Sequence, residues 1–190
     1  AAYAAMVQNL DENVGRVLDL LERRKLMDRT VVVFTSDNGG YINPFGGEAV
    51  TDNYPLRSGK GSLYEGGLRV PLLVRAPGVT KAGTVCDDPV CPIDFYSTLL
   101  ELTGLKSGAA VDGRSLVPLL ANPAASLGRE ELFFHYPHYY ATTSPVSSML
   151  AGGWKLLEYY EDRHLELYDL ANDPSEQRDL ASAQPERAAR

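Results

Sequence analysis

The chain lacks two features that would place it in a membrane or among the nucleic-acid-binding proteins. No run of apolar residues approaches the ~18 that a membrane-spanning helix needs, so no membrane partner is predicted. Basic residues are in the minority, since 18 Lys and Arg stand against 25 Asp and Glu, for a formal net charge of −7. This charge argues against nucleic acid or an anionic membrane surface as the main partner. Affinity for an anion must therefore come from a local cation or a metal ion.

Cysteine is also scarce, which excludes a fold built on a disulfide scaffold. The only two cysteines are Cys86 and Cys91. A small bridge and two free thiols are both compatible with their spacing. The chain has no internal repeat and no low-complexity tract. With 190 residues, of which 44% are hydrophobic and 23% charged, it is long enough to bury a sizeable core.

The most informative segment runs from Thr30 to Gly40. Residues 31–35 have high β propensity and no polar alternation, which predicts a strand covered on both faces. Asp37 and Asn38 follow at the carboxyl end of that strand, where open α/β sheets hold their ligands. A carboxylate beside a carboxamide offers the hard oxygens that Ca²⁺ or Mg²⁺ prefers. The alternative is an Asp-Asn-Gly-Gly turn that binds no metal.

The elements are predicted to be α/β first and antiparallel later. An amphipathic helix precedes the first strand, a second short strand covers 70–74, and a helix covers 94–102. A connector rich in Gly, Pro and Ala follows over 104–130. Beyond it, short strands are predicted at 132–134, 154–160 and 165–168, and a short helix ends the chain. In that sheet we expect Trp154 and Leu156 to face the core.

A second segment adds a family resemblance. Residues 55–71 resemble the second signature of the sulfatase family, and Phe34 to Gly39 resemble that family's Phe-Thr-Ser-Asp-Asn-Gly block. The opening residues 3–15, together with blocks at 112–116, 154–156 and 166–174, are similar to other parts of the family. The positions that match the second signature are Leu56, Arg57, Gly59, Lys60, Gly61, Tyr64, Glu65, Gly66, Gly67, Arg69 and Pro71.

The resemblance implies a sulfatase-type layered α/β domain followed by a small antiparallel β subdomain with a terminal helix. It divides the chain into residues 1–130, the carboxyl-terminal part of the α/β catalytic domain, and residues 131–190, the subdomain. It also implies an enzyme of the alkaline phosphatase superfamily that hydrolyses sulfuric esters. Its substrate would be a sulfated small molecule or carbohydrate.

The family's nucleophile is missing from this chain. Sulfatases use a formylglycine made within a Cys/Ser-x-Pro-x-Arg sequence, and neither Cys86 nor Cys91 lies in that pattern. The paired aspartates that complete the family's metal site are absent as well. The chain is therefore expected to be the carboxyl-terminal portion of a longer sulfatase, with the formylglycine upstream. Alone, it is expected to be inactive.

The resemblance gives roles to residues of the two matching blocks. Asp37 and Asn38 would bind the metal ion, which is Ca²⁺ by resemblance, although oxygen ligands also fit Mg²⁺. Lys60 would contact the sulfate and stabilise the charge that develops during transfer. Arg57 has two open alternatives, an anchor for its loop or a contact to substrate. Glu65 is expected to be structural.

His135 and His138 are further candidates for substrate binding. They lie in the run Phe134-His-Tyr-Pro-His-Tyr-Tyr140, and some carbohydrate sulfatases carry a similar run. The tyrosines offer ring faces for a sugar, and the histidines can hold or pass protons near neutral pH. An aromatic loop that packs on the carboxyl-terminal sheet is the equal alternative.

Two other functions remain open. One is a phosphonate or phosphodiester hydrolase of the same superfamily, and the other is a non-catalytic module that retains only the fold. The resemblance suggests a periplasmic, secreted or lysosomal location.

Overall fold

The structure is a computed structural model that describes residues 2–44, 49, 51–106 and 108–189. The chain forms two compact units. The first comprises Ala1–Phe34 and Leu72–Arg129, and the second comprises Thr35–Pro71 and Glu130–Arg190. These units are discontinuous along the chain, whereas the domains 1–130 and 131–190 follow chain order and stay a prediction.

The first unit contains most of the helices. Helix α1 spans Ala2–Arg23, and a 3-10 turn at Met27–Arg29 leads to strand β1 at Val32–Thr35. Helix α2, Glu65–Leu68, belongs to the second unit, and strand β2, Leu72–Arg75, pairs with β1 in a two-stranded sheet. Helices α3, Asp94–Thr103, and α4, Val117–Ala121, complete the first unit. None of the described helices is long and apolar enough to cross a membrane.

The prediction that β1 is a buried strand is wrong for this chain. Val33 and Phe34 are each 40% exposed, and no residue of β1 is buried. The physical reason is that the sheet has two strands among the described residues, so few side chains cover its faces. The contacts that exist are apolar, because Val31, Val33 and Val74 line a pocket with Phe95 and other residues of α3 and α4.

Helix α3 begins and ends as its sequence predicts. Gly104 adopts φ 71°, a left-handed conformation that glycine favours, and its N–H donates to the last carbonyls of the helix. At the other end, the Asp94 carboxylate is fully buried and accepts hydrogen bonds from the backbone N–H groups of Cys91 and Arg114. Arg129 adds a two-pronged ion pair, with distances of 2.8 and 2.5 Å. Asp94 therefore fastens α3 to the connector.

The second unit is built on an antiparallel sheet, as predicted. Its four strands lie in the order β3–β4–β5–β6, and each pair is antiparallel. They span Glu131–Tyr136, Val146–Ala151, Trp154–Tyr159 and Leu165–Asp169, and helix α5 follows at Pro185–Ala188. Strand β4 was not predicted, because Ser147 and Ser148 interrupt its apolar residues. The chain thus confirms an α/β part followed by a small antiparallel sheet and a terminal helix.

The buried face of β5 is the opposite of the predicted one. Lys155, Leu157 and Tyr159 are buried, whereas Trp154 and Leu156 are only half-buried. Alternate residues of a strand point to opposite faces, so one choice of face decides all of them. The prediction assigned the two large apolar side chains to the core, but the face that is buried is the one that carries Lys155. Trp154 instead packs under the guanidinium of Arg187, 4.1 Å from its ring centroid.

Candidate functional site

Asp37 and Asn38 lie in a bend immediately after β1. The hydroxyl of Ser36 donates to the backbone carbonyl of Asn38 at 2.8 Å and so supports the bend. Asp37 is exposed and Asn38 is half-buried. Among the described residues, neither side chain makes a hydrogen bond or an ion pair. Their oxygens are therefore available to a ligand.

These two oxygen donors fit part of the shell of a hard cation. Ca²⁺ takes six to eight oxygen ligands, and a carboxylate with a carboxamide supplies the right chemistry for some of them. Within the residues that the structure describes, no group of three or more His, Cys, Asp or Glu side chains could hold a metal ion. Other ligands would have to complete such a site, and metal binding by Asp37 and Asn38 stays a prediction.

Gly39 brings the bend that carries Asp37 and Asn38 against the lysine segment, which comprises residues 55–71. Its N–H donates to the carbonyl of Gly67 at 2.9 Å. A Cβ atom added to Gly39 would lie 1.6 Å from the carbonyl oxygen of Gly66, so no side chain fits there. One residue further on, the carbonyl of Gly40 accepts a hydrogen bond from the N–H of Lys60 at 3.1 Å. The two matching blocks are therefore joined through their backbones.

Asn53 holds the same two segments together with its side chain. Its carboxamide oxygen accepts from the N–H of Gly40 at 2.9 Å, and its amide nitrogen donates to the carbonyls of Gly40 at 3.0 Å and Ser58 at 2.9 Å. Asn53 is not among the residues predicted from the sequence. An isolated Asn in a loop carries no periodic signal, and its partners become visible only once the chain is folded.

Lys60 is presented at the surface by a loop that the carboxyl-terminal residues support. Its side chain is exposed and makes no hydrogen bond or ion pair within the described part of the chain. Its backbone carbonyl accepts from the hydroxyl of Thr142 at 3.0 Å. Gly61, at φ 83°, lies under the ring of Tyr140, where an added Cβ would be 2.1 Å from a ring carbon. The ammonium group is thus free to meet an anion while its backbone is fixed.

Arg57 is occupied by contacts inside the second unit. Its Nη1 donates to the hydroxyl of Tyr168 at 2.8 Å and to the backbone carbonyl of Glu176 at 3.0 Å. Its guanidinium carbon lies 3.9 Å from the ring centroid of Tyr64. These contacts support the anchoring alternative for Arg57. Substrate binding by this residue stays a prediction.

The tyrosines around Arg57 surround a carboxylate. Glu166 accepts hydrogen bonds from the hydroxyls of Tyr64 at 2.6 Å and Tyr168 at 2.8 Å. Burial and these hydrogen bonds to Glu166 raise the pKa of both phenols above the ordinary value. Both tyrosines therefore stay neutral donors at physiological pH.

Glu65 is buried and bonded, as the structural interpretation expects. Its carboxylate lies 2.6 Å from the ammonium of Lys155 and 3.7 Å from Arg69. The main partner of Glu65 is Lys155, a residue for which the sequence predicted no role. Lys155 was missed because a lysine in an apolar strand is ordinarily assigned to the exposed face.

His135 and His138 differ in how firmly they are held. His135 lies on β3, and its Nδ1 is 2.9 Å from the hydroxyl of Ser147 and 2.8 Å from that of Tyr160. His138 is exposed, and its ring meets Tyr136 edge-on, with centroids 5.3 Å apart. Both rings are accessible. Their role in substrate binding stays a prediction.

Two family models match the chain. The model described as "Sulfatase" matches residues 1–105, and the model described as "N-sulphoglucosamine sulphohydrolase, C-terminal" matches residues 58–189. Among curated proteins, a "Sulfatase" of Formosa agariphila is 38% identical over an aligned length of 205 residues, and the match covers 97% of this chain and 36% of the relative. The chain therefore spans only about a third of that relative's length.

Solved structures share the fold. Ps i-CgsB, in complex with k-i-k-neocarrahexaose, is 30% identical with a TM-score of 0.83, and the match covers 98% of this chain and 40% of that one. A second protein, solved with its substrate D-glucosamine-2-N,6-O-disulfate, is 30% identical with a TM-score of 0.79, over 96% of this chain and 37% of that one. Both similarities extend over nearly all of this chain.

Proposed function

The chain belongs to the sulfatase family, and on that premise we propose that it forms part of an enzyme that hydrolyses sulfate esters. In this proposal Lys60 holds the sulfuryl group, and Asp37 with Asn38 holds a divalent cation. One observation carries the proposal: the hydrogen bond from the N–H of Lys60 to the carbonyl of Gly40, at 3.1 Å, joins the lysine segment to the segment with the metal-ligand candidates.

In this proposal the residues of this chain stabilise negative charge in the transition state and hold the sulfate group in position. In the reaction the sulfur forms a bond to the nucleophile while its bond to the ester oxygen breaks, and negative charge develops on that leaving oxygen. The Lys60 ammonium would stabilise this charge, and the backbone of Lys60, held by Gly40 and Thr142, fixes the point from which its side chain reaches the sulfate. When bound, a cation such as Ca²⁺ supplies further positive charge to a sulfate oxygen. The nucleophile, a formylglycine, is proposed to lie outside this chain.

A sulfated carbohydrate is the proposed substrate class. Two structural relatives support it, since they were solved with D-glucosamine-2-N,6-O-disulfate and with k-i-k-neocarrahexaose. The chain offers suitable surface beside Lys60, where Tyr140 packs on Gly61 and Tyr139 is 71% exposed. Exposed rings of this kind stack on sugar faces. His135 and His138 would bind hydroxyl or sulfate groups along the same strand and loop.

Turnover by the full-length protein tests the proposal. Sulfated sugars, an aryl sulfate and a phosphodiester are assayed in parallel, with calcium present and after chelation. We expect hydrolysis of a sulfate ester, with less activity after chelation. The Asp37→Ala variant should need more calcium for half-maximal activity, whereas Asp112→Ala, which removes an exposed carboxylate from the connector, should behave as wild type. Preferred hydrolysis of the phosphodiester, or no turnover, would contradict the proposal.

A further inference from the structure

Three charged side chains meet in the interior of the second unit. The ammonium of Lys155 lies 2.6 Å from the carboxylate of Glu65 and 2.9 Å from that of Glu176. Lys155 is 1% exposed, Glu176 0% and Glu65 7%. Lys155 also donates to the backbone carbonyl of Leu63 at 3.1 Å. All three donor positions of the ammonium are thus satisfied by protein.

Glu176 connects this group to the loop that carries Lys60. Its second carboxylate oxygen accepts from the backbone N–H of Glu65 at 2.7 Å. Its backbone carbonyl accepts from the guanidinium of Arg57 at 3.0 Å. Glu176 makes these contacts from a left-handed backbone conformation, φ 51°, which is unfavourable for a residue with a Cβ. We call Arg57, Glu65, Lys155 and Glu176 the Glu176 cluster.

The Glu176 cluster contacts the lysine segment near both of its ends. Arg57 is at the start and Glu65 near the finish, and the N–H of Gly66 donates back to the carbonyl of Arg57 at 2.8 Å. Inside this closed loop, the N–H of Ser62 donates to the carbonyl of Gly59 at 3.1 Å. Lys60 lies within the turn that this second hydrogen bond closes. Movement at the base of the loop would therefore move the backbone of Lys60.

Stability alone is a weak reason to keep such a cluster. Removing charges from water is costly, and buried ion pairs often stabilise a fold no better than apolar residues of similar size. Burial raises the pKa of the Glu176 carboxyl, and the nearby Lys155 ammonium opposes that rise. Charged groups supply a defined geometry, because each of their hydrogen bonds fixes the relative positions of a donor and an acceptor.

We propose that the Glu176 cluster is a positioning device that fixes the loop over residues 57–67 and thereby sets the place of the Lys60 ammonium at the sulfate. Glu176 is its central positioning residue and does not itself touch substrate. This inference rests on the proposed sulfate ester hydrolysis for its catalytic part. Its structural part, the order of the loop, does not.

A double-mutant cycle in the full-length protein tests the catalytic part. Glu176→Gln keeps the side-chain volume but places an amide where one acceptor oxygen stood, so kcat should fall by about tenfold. Combined with Lys60→Ala, the same change should cost less than about twofold, because there is no ammonium left to misplace. Equal losses in the two backgrounds would overturn the proposal. Glu186→Gln, an exposed carboxylate on α5, is the matched control and should leave kcat unchanged.

Hydrogen exchange in the same proteins tests the structural part and does not depend on turnover. Glu176→Gln should speed exchange of the backbone N–H groups of Lys60, Ser62, Glu65 and Gly66, while strands β3 and β4 keep wild-type protection. Unchanged exchange in the loop overturns the proposal. An inactive wild type with faster exchange in the variant would contradict the proposed function and support the positioning device. If Glu176→Gln fails to fold, Tyr168→Phe, which removes one acceptor of Arg57, provides the same two tests.

Discussion

At the scale of residues, the site depends on short backbone contacts that only glycine permits. Gly39 approaches Gly66 and Gly67 so closely that its N–H bonds directly to the carbonyl of Gly67. Gly59 has the same property, since an added Cβ would lie 2.3 Å from the carbonyl of Gly40. The glycines of the family blocks therefore serve to bring two segments into contact. That contact determines where the backbones of Lys60 and Asp37 lie relative to each other.

Gly39→Ala should separate the two segments. The new methyl group would overlap the carbonyl of Gly66, so the backbones must move apart and kcat should fall by about 10²-fold. Gly15→Ala is the control, because nothing lies within 4 Å of a Cβ at Gly15 on α1. Steady-state kinetics of the full-length protein measure both. Wild-type kcat in Gly39→Ala would show that the contact is not needed.

At the scale of elements, the sequence predicted what depends on local pattern. Helix α3 was correctly placed because Gly104 and its apolar spacing lie within one segment. Strand β4 and the buried face of β5 were not, since their partners come from elsewhere in the chain. The core pairs Lys155 with Glu65 and Glu176, which are distant in sequence. The alternation of apolar and polar residues along a strand does not indicate ion pairs with residues elsewhere in the chain. The site segments were recognised by resemblance, and Asn53, which joins them, was not.

The stability that the Asp94 carboxylate gives to the folded state, by holding α3 to residues of the connector, should depend on pH. Burial alone would raise the pKa of Asp94, but hydrogen bonds from Arg129 and from the N–H groups of Cys91 and Arg114 lower it below its ordinary value. A lowered pKa means that the carboxylate stabilises the folded state above the unfolded pKa of about 4 and that this contribution is lost as the pH falls through the folded pKa.

Chemical denaturation between about pH 7 and pH 3 measures this effect. The free energy of unfolding should decline toward acid in the wild type. Asp94→Asn should lower it by about 3 kcal/mol at neutral pH, because Arg129 loses its buried partner, and should flatten the decline. Asp112→Asn, at an exposed position of the same connector, is expected to keep the wild-type profile. A neutral-pH stability of Asp94→Asn equal to wild type would refute the role given to this ion pair.

At the scale of the whole molecule, the chain is proposed to carry part of a site. It spans 36% of the length of the Formosa agariphila relative. Its described residues offer two metal-ligand candidates, and the sequence contains no Cys/Ser-x-Pro-x-Arg. Apolar side chains such as Met6, Leu10 and Phe34 are exposed on α1 and β1. Each of these observations supports the proposal that further polypeptide completes the enzyme.

The isolated chain of 190 residues should therefore show no hydrolysis of an aryl sulfate above background, with or without calcium. Its sequence contains no Cys/Ser-x-Pro-x-Arg from which the proposed formylglycine could be made, so charge stabilisation by Lys60 would have no nucleophilic attack to assist. Full-length protein at the same concentration is the positive control. Metal-dependent turnover by the isolated chain would mean that residues assigned here to packing carry the chemistry.

The most direct test of the account is kcat of the full-length protein with Lys60→Ala, measured on its best sulfate ester. Lys81→Ala, which removes another exposed lysine, is measured beside it. Lys60→Ala should lower kcat by about 10²-fold or more, since it removes a charge used mainly in the transition state, and Lys81→Ala should leave kcat unchanged. A wild-type kcat in Lys60→Ala would contradict the claim that this lysine, joined through its backbone to the metal-ligand segment, holds the sulfuryl group.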